Sequence, residues 1–472
     1  MSVYGTLLSG ERALKMSFNK ETFCTMPWSS IMILPSGDFK ICCFTGHDTE
    51  RGDSHGVAVD DDYNIMNVLT HNIMDAMNSK WHKELRLAQS RGERHEICKV
   101  CWDRDDAAKV QGEVPTSLRV VRSYYQNNGN RERIGGYPMK GAALPETADS
   151  LMAADGTITK MPLSLDIRFS NLCNAKCVMC EPLYSTLWYG DWMDMTGRDE
   201  FFAGTKQYKI IKKPTASGGA TYSSDIDVWN DDPRWWAQFD QIAPHLRHVY
   251  ITGGEPFVQP THDTFIQKLV EGGYAKNIVI EYDTNLSVLN TKILDMLKEF
   301  KDLIFRISVD DVEERYDLIR HPLKFNKLLA NLELMKEYGF HEKIVNLSTC
   351  VGIYSIYSPI RIYEYFKAAG YDRHFPFVRI LRSPAAVDMA NLPRRLKEKV
   401  IKDYEESDLP HFHQTHVVGY LKNTLDKFTD KECEAKMNSY MKYMDTLDKL
   451  RKTDWKATFP EVAELVKDYI PK

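Results

Sequence analysis

Apolar residues along this chain follow two rhythms, which change over at about residue 161. Downstream of that point, short apolar runs alternate with longer amphipathic ones. The runs LSLDIRF (163–169), HVYIT (248–252), NIVIEYD (277–283), LIFRISV (303–309), IVNLSTCV (344–351) and PFVRIL (376–381) have the length and β-branched content of strands. Between them, LNTKILDMLKEF and KFNKLLANLELMKEYG repeat apolar residues at helical spacing. Strands alternating with helices predict βαβ units on a parallel sheet. Six such units predict an α/β fold in the form of an open, partial (βα)6 barrel. Its functional groups are then expected at the C-terminal ends of the strands.

Upstream the pattern is less regular. SSIMILPSGDFKICC alternates towards strand, with Pro35-Ser36-Gly37-Asp38 as the turn of a hairpin. NIMDAMNSKWHKELRLAQSRG predicts one amphipathic helix, with Ile73, Met77, Trp81, Leu85 and Ala88 on a single face and Gly92 at its end. Residues 22–110 therefore read as a small α+β piece. The stretch 125–160 is polar and rich in Gly, Asn, Arg and Pro, which marks a boundary. The expected division is an N-terminal unit at 1–110, a linker at 111–160, the alternating core at 161–392 and a charged helical extension at 393–472. A long excursion inside the core, about 185–245, holds TASGGATYSSD and the aromatic cluster NDDPRWWAQF. It reads equally as a lid over the strand ends and as a surface decoration.

Composition narrows the function. The 472 residues carry 61 Lys and Arg against 66 Asp and Glu, a net charge of −5. That balance argues against a general nucleic-acid binder or a membrane-surface protein. The segment MSVYGTLLSGERALKM lacks the apolar centre of a signal peptide, and no apolar run reaches the roughly 18 residues of a membrane span. A reducing, cytoplasmic location is expected. Of the ten cysteines, eight fall in three tight groups: Cys24 with Cys42 and Cys43, Cys98 with Cys101, and Cys173 with Cys177 and Cys180. In a reducing compartment such spacing points to metal ligation rather than to disulfides.

Cys173, Cys177 and Cys180 are spaced CxxxCxxC and follow directly on the first strand of the core. Soft thiolates suit iron–sulfur clusters and zinc. Three of them can hold three irons of a four-iron cluster and leave the fourth open to a small molecule. A closed zinc site needs a fourth Cys or His, and none follows within the next dozen residues. The other four, Cys24 and Cys42 with Gly37 between them and Cys98-x-x-Cys101, suit a tetrahedral zinc site or a four-iron cluster equally well.

The ordered set of motifs resembles the radical S-adenosylmethionine (radical SAM) superfamily. After the three-cysteine motif comes Thr252-Gly253-Gly254-Glu255-Pro256 at the second strand, similar to that family's GGE(P) motif. Asp283-Thr284-Asn285 at the third strand is similar to its TNG element, with Leu286 in place of glycine. Ser308-Val309-Asp310 at the fourth is similar to its S-x-D, and the whole set covers roughly residues 161–382. Upstream, C-x₁₂-G-x₄-C followed by CxxC resembles the SPASM/twitch auxiliary-cluster domain, here ahead of the barrel instead of behind it.

The resemblance implies a partial TIM-like barrel with a small N-terminal α+β auxiliary-cluster domain and a helical C-terminal extension. It implies a radical SAM enzyme that reductively cleaves S-adenosylmethionine (SAM) to a 5′-deoxyadenosyl radical and abstracts hydrogen from a substrate. It implies a 4Fe–4S cluster on Cys173, Cys177 and Cys180, and an auxiliary 4Fe–4S cluster on Cys24, Cys42, Cys98 and Cys101, with Cys43 spare. Gly253, Gly254 and Glu255 would meet the SAM ammonium. Ser308 and Asp310 would meet its ribose and carboxylate region. Met179, at a position commonly aromatic in the family, would lie against adenine, with Thr284 and Asn285 nearby. Expected partners are a reductant such as flavodoxin or ferredoxin and a substrate that is either a peptide or protein, or a small sugar or nucleotide. No nucleic acid and no membrane are expected. The competing class is a non-catalytic zinc-binding interaction protein with structural cysteine sites. Cys350 and the trio His411, His413 and His416 stay unassigned.

Overall fold

The computed structural model describes residues 22–46, 56–110, 117, 152–203, 206–215, 218–226, 228–370 and 376–470. The MSVYGTLLSGERALKM segment and most of the expected 111–160 linker lie outside the described residues.

The chain begins with α1 (Met26–Ser29), β1 (Ser30–Ile33), β2 (Phe39–Lys40), α2 (Ile73–Met77), α3 (Lys80–Ser90) and α4 (Lys99–Val110). The core opens with β3 (Ser164–Ile167). It is followed by α5 (Trp188–Thr196), β4 (Glu200–Ala203), β5 (Lys206–Pro214), β6 (Ala220–Ser224) and α6 (Pro233–Ile242). Strands and helices then alternate: β7 (His248–Ile251), α7 (Pro260–Glu271), β8 (Val279–Thr284), α8 (Thr291–Leu297) and β9 (Asp302–Ser308). After β9 come α9 (Glu313–Ile319), α10 (Phe325–Glu337), β10 (Ile344–Val351), α11 (Ser358–Ala368) and β11 (Pro376–Ile380). Helices α12 (Arg394–Glu405), α13 (His411–Asn423), α14 (Asp430–Arg451), α15 (Trp455–Thr458) and α16 (Pro460–Leu465) complete it.

One eight-stranded sheet organises the molecule, in the order β11-β10-β9-β8-β7-β3-β1-β2. From β3 to β11 every neighbouring pair is parallel and consecutive in the core, as a partial barrel of six βα units requires. Strand side chains alternate between faces. One face supplies Leu165, Ile167, Val249, Ile251, Ile280, Tyr282, Phe305, Ile307 and Leu347 to the main core, where they meet Phe265 and Leu269 of α7, Leu294 of α8, Leu328 and Leu332 of α10, and Ile362 of α11. Each such side chain, fully buried, contributes about 1.5–3 kcal/mol. The opposite face carries Asp166, His248, Tyr250, Glu281, Asp283 and Arg306. His248 and Tyr250 pair across to Glu281 and Asp283, and Arg306 meets both carboxylates, instead of forming an oily interior.

Three features differ from the sequence expectation. The N-terminal hairpin is not a separate layer: β1 runs parallel to β3, from Ser30 opposite Ser164 to Ile33 opposite Ile167, and all four β1 residues are buried. Two short strands bury too little apolar surface to stand alone, and β3 would otherwise be an open edge. The helix expected across 72–92 breaks between α2 and α3. There the Asn78 amide both donates to the carbonyl of Ile158 at 2.9 Å and accepts from its N–H at 2.9 Å, which draws the chain out of the helix. The aromatic part of the 185–245 excursion is neither lid nor decoration. Trp229 and Trp235 are buried in the main core, and the Trp229 indole donates to the carbonyl of Pro35 in the β1–β2 turn at 3.0 Å. Only β4, β5 and β6 form a sheet of their own.

The C-terminal helices build a second core around Val400, Tyr440, Met444 and Trp455, which also takes in Val178 and Trp188. Among the described residues no helix is long and apolar enough to cross a membrane.

Candidate metal and cofactor site

The loop after β3 carries Cys173, Cys177 and Cys180, and backbone contacts on every side fix its shape. The N–H of Cys180 donates to the carbonyl of Cys177 at 3.0 Å, and the Trp188 indole donates to the same oxygen at 3.0 Å. The N–H of Lys176 donates to the carbonyl of His321 at 2.7 Å, and that of Val178 to Ile319 at 2.8 Å. Tyr443 of α14 donates its hydroxyl to the carbonyl of Val178 at 2.7 Å. The loop is thus held by α5, by the end of α9 and by the C-terminal helices. Met179 packs against both large cores at their junction.

None of the ten cysteines is in a disulfide. Burial, the neighbouring Cys177 and Glu255 push the Cys173 thiol up to about 12. Burial, then Cys177 and Cys173, hold Cys180 well above the ordinary range. Three sulfurs close enough to oppose one another's ionisation need a cation to become thiolates together, and bound iron would supply that charge. Among the described residues no three His, Cys, Asp or Glu surround the position of a single metal ion. A multinuclear cluster asks for a different arrangement, one iron to each thiolate. The donor set fits such a cluster.

The Gly-Gly-Glu turn after β7 lies directly against this loop. Gly254 has φ +39, and a Cβ there would stand 2.2 Å from the carbonyl oxygen of Leu172. A Cβ on Gly253, at φ +76, would meet the stem of Arg168 at 2.6 Å. In this fold the glycines let one loop approach another. Glu255 is 1% exposed and both its oxygens are engaged. Oε1 accepts the Thr284 hydroxyl at 2.6 Å and Oε2 accepts the Asn285 N–H at 2.7 Å. Asn285 in turn donates to Asn174 of the thiol loop at 3.0 Å. Leu286, standing where the resemblance has glycine, adopts φ +53. The Thr284 hydroxyl accepts its N–H at 2.9 Å, and the side chain is fully buried.

Burial pushes the Glu255 carboxyl up to about 7, from an ordinary 4.5. A pKa raised on folding means that the folded chain holds the extra proton between those values. This stabilisation is full below about 4.5 and is lost as pH rises through about 7. Wild-type chain is therefore expected to lose roughly 3 kcal/mol more than Glu255→Gln between pH 4.5 and pH 8. Urea unfolding at the two pH values checks this, and parallel slopes for the two proteins would refute it.

Ser308 ends β9, half-buried, opposite Ser348 of β10. Asp310, two residues on, is fully buried. Its Oδ1 accepts the N–H of Cys350 at 2.7 Å, and its Oδ2 lies 2.7 Å from Arg320 Nη2. Arg320 Nη1 donates to the sulfur of Cys177 at 3.8 Å. Arg320 belongs to none of the sequence motifs and was missed from sequence.

The N-terminal thiols gather as well. Cys24, Cys42 and Cys98 pack around Met26, Ile41, Val59, Trp81, Leu85 and Ile97. Burial and then Cys101 push the Cys42 thiol up to about 11. Cys43 is within electrostatic reach of Arg168 at the end of β3. His411, His413 and His416 lie on α13; burial lowers His413 and His416 below the usual imidazole range, and His416 is within electrostatic reach of Arg104 on α4. An open cavity of about 560 Å³ lined by Tyr357, Arg395 and Asp403 lies on the C-terminal helices and includes no cysteine.

The polar face of the sheet was also missed, although period-two alternation announces it in LSLDIRF, NIVIEYD and LIFRISV. Tyr250 donates to Asp283 at 2.7 Å, and Arg379 lies 3.4 Å from the same carboxylate. The Arg168 guanidinium has a carboxylate, Asp166, at 3.9 Å. Cys350 is within electrostatic reach of Cys177 and Arg379, and Arg168 of Cys43.

Comparison with known proteins gives the following. The family model described as the Radical SAM superfamily matches residues 167–357. The SPASM model, described as an iron–sulfur cluster-binding domain, matches residues 24–102. No curated protein matches the chain. Among solved structures, anSMEcpe with bound AdoMet is 20% identical over 52% of this chain and 59% of that one, at a TM-score of 0.34. The Streptococcus suis SuiB structure bound to S-adenosylmethionine is 15% identical over 74% of this chain and 65% of that one, at a TM-score of 0.30. The chain thus spans about three fifths of the anSMEcpe chain.

Proposed function

The chain belongs to the radical SAM superfamily and carries an iron–sulfur cluster-binding domain ahead of its core, and on that footing we propose that it cleaves SAM reductively and abstracts hydrogen from a substrate held inside the barrel. The observation that carries this reading is the contact between the three-thiol loop and the Gly253-Gly254-Glu255 turn at the C-terminal end of the parallel sheet. Cys173, Cys177 and Cys180 would hold the cluster, which when bound would supply the electron for reductive cleavage of SAM and so the radical for hydrogen abstraction.

The chain's own residues prepare that chemistry by position and exclusion. In this reading the backbone of the Gly253-Gly254 turn and Ser308 face SAM, and Met179 offers an apolar platform for adenine. Glu255, Thr284 and Asn285 lock the turn to the end of β8 and to Asn174. Tyr443 of the C-terminal helices and Trp188 of α5 would keep water from the back of the thiol loop. Cys24, Cys42, Cys98 and Cys101 would hold the auxiliary cluster. Arg168, Tyr250, Asp283 and Arg379 would face a substrate bearing polar or charged groups, whether a peptide or a small sugar or nucleotide. Flavodoxin or ferredoxin is the expected electron source.

Anaerobic reconstitution is expected to give a brown protein with about eight irons per chain. Cys177→Ala should lose about four of them, and its 5′-deoxyadenosine formation should fall by at least ~10³-fold, a barrier change of about 4 kcal/mol. Colourless protein with stoichiometric zinc, or a Cys177→Ala variant that cleaves SAM as fast as wild type, would sink the proposal.

A further inference from the structure

The segment after α9 runs beside the thiol loop and is bonded to it on both sides of one residue. The carbonyls of Ile319 and His321 accept the N–H groups of Val178 and Lys176 at 2.8 and 2.7 Å. Between these two bonds stands Arg320, whose side chain is therefore aimed at Cys177. Its Nη1 donates to the Cys177 sulfur at 3.8 Å, and its Nη2 lies 2.7 Å from Asp310 Oδ2. Asp310 is itself anchored, because its other oxygen accepts the N–H of Cys350 at 2.7 Å. The side chains of Arg320 and Asp310 are 10% and 0% exposed. Water therefore screens little of either charge.

We propose that Arg320 and Asp310 set the reduction potential of the SAM-binding cluster, Arg320 by donating an N–H to the Cys177 sulfur and Asp310 by holding the guanidinium and offsetting its charge. This rests on the radical SAM reading of the site. Reduction adds one electron, and hence one negative charge, to the cluster and its thiolates. A cation donating to a ligand sulfur stabilises that reduced state, and hydrogen bonds to sulfur together with local charge are what tune such centres. The two partners must then act with opposite sign. Without Arg320 the reduced cluster loses a donor and faces the Asp310 carboxylate alone. Without the Asp310 charge it faces an uncompensated guanidinium.

The test is a potentiometric titration of the anaerobically reconstituted full-length protein, followed by electron paramagnetic resonance. The relevant cluster is identified as the signal lost in Cys173→Ala. Arg320→Gln is expected to shift its midpoint to more negative potential, Arg320→Lys to fall between that value and wild type, and Asp310→Asn to shift it to less negative potential, all at unchanged iron per chain. A purely structural role moves Arg320→Gln and Asp310→Asn the same way. A common direction, or an unmoved midpoint in either, overturns the proposal. Should Arg320→Gln fail to hold iron, Arg320→Lys and Asp310→Asn still decide by the opposition of their signs. A wild-type protein with no signal that depends on Cys173 refutes the radical SAM reading itself, and the proposal with it.

Discussion

Gly254→Ala is expected to cost about 3–5 kcal/mol of stability and to abolish SAM binding. The new methyl carbon would lie 2.2 Å from the Leu172 carbonyl oxygen, 2.9 Å from its carbon and 3.1 Å from the Ser170 carbonyl oxygen. All three are main-chain atoms, so no rotamer change relieves the clash. The Leu172 oxygen also accepts the Glu255 N–H at 2.9 Å, and moving it breaks the bond that joins the two loops. The left-handed backbone, at φ +39, adds about 1 kcal/mol for any residue with a Cβ. Urea unfolding and equilibrium dialysis with labelled SAM measure the two losses. A wild-type midpoint for Gly254→Ala would mean that the turn and the thiol loop do not meet as described.

Asp191→Ala should do comparable damage from the other side of the thiol loop, about 3–5 kcal/mol. Asp191, on α5, faces Lys176 of the loop at 2.7 Å and Arg451, the last residue of α14, at 2.9 Å. The Arg451 side chain is 2% exposed and stacks on Trp188, whose indole holds the Cys177 carbonyl. Removing the carboxylate leaves a guanidinium buried with no counter-charge, which costs far more than a surface pair is worth. Iron per chain is expected to fall from about eight towards about four, because Asp191 holds the Cys173–Cys180 loop through Lys176. Asp191→Asn, which keeps an acceptor but not the charge, should lie between the two proteins. Full iron and an unchanged unfolding midpoint in Asp191→Ala would contradict this account.

The strands of the core were legible because each is a local object: five to eight residues with one face apolar, bounded by turn formers. Their parallel order followed from the helices between them. The pairing of β1 with β3 was not legible, because a parallel partner far along the chain leaves no mark on the local pattern. SIMI reads the same whether it closes a private hairpin or extends a larger sheet. At the site, cysteine spacing and the Gly-Gly-Glu turn stand out in sequence, since few residue types do what they do. Arg320 does not, for it is one arginine among many until the fold lays Ile319–His321 beside residues 176–178. Glu255 shows a third kind of limit. Its presence was plain, but only the structure reveals that Thr284 and Asn285 occupy its two oxygens.

The union of β1 with β3 bears on the order in which this chain must be made. Ser30 finds its sheet partner, Ser164, only after roughly 130 further residues leave the ribosome, about 7–27 s at ordinary rates of synthesis. Throughout that interval the apolar strand and the thiols on either side of it emerge without the edge that later shields them. Such strands invite pairing with other nascent chains. Yield in heterologous expression is therefore expected to depend on translation speed and on chaperones that hold extended apolar segments, and the auxiliary cluster proposed on these thiols would be assembled during or after that wait.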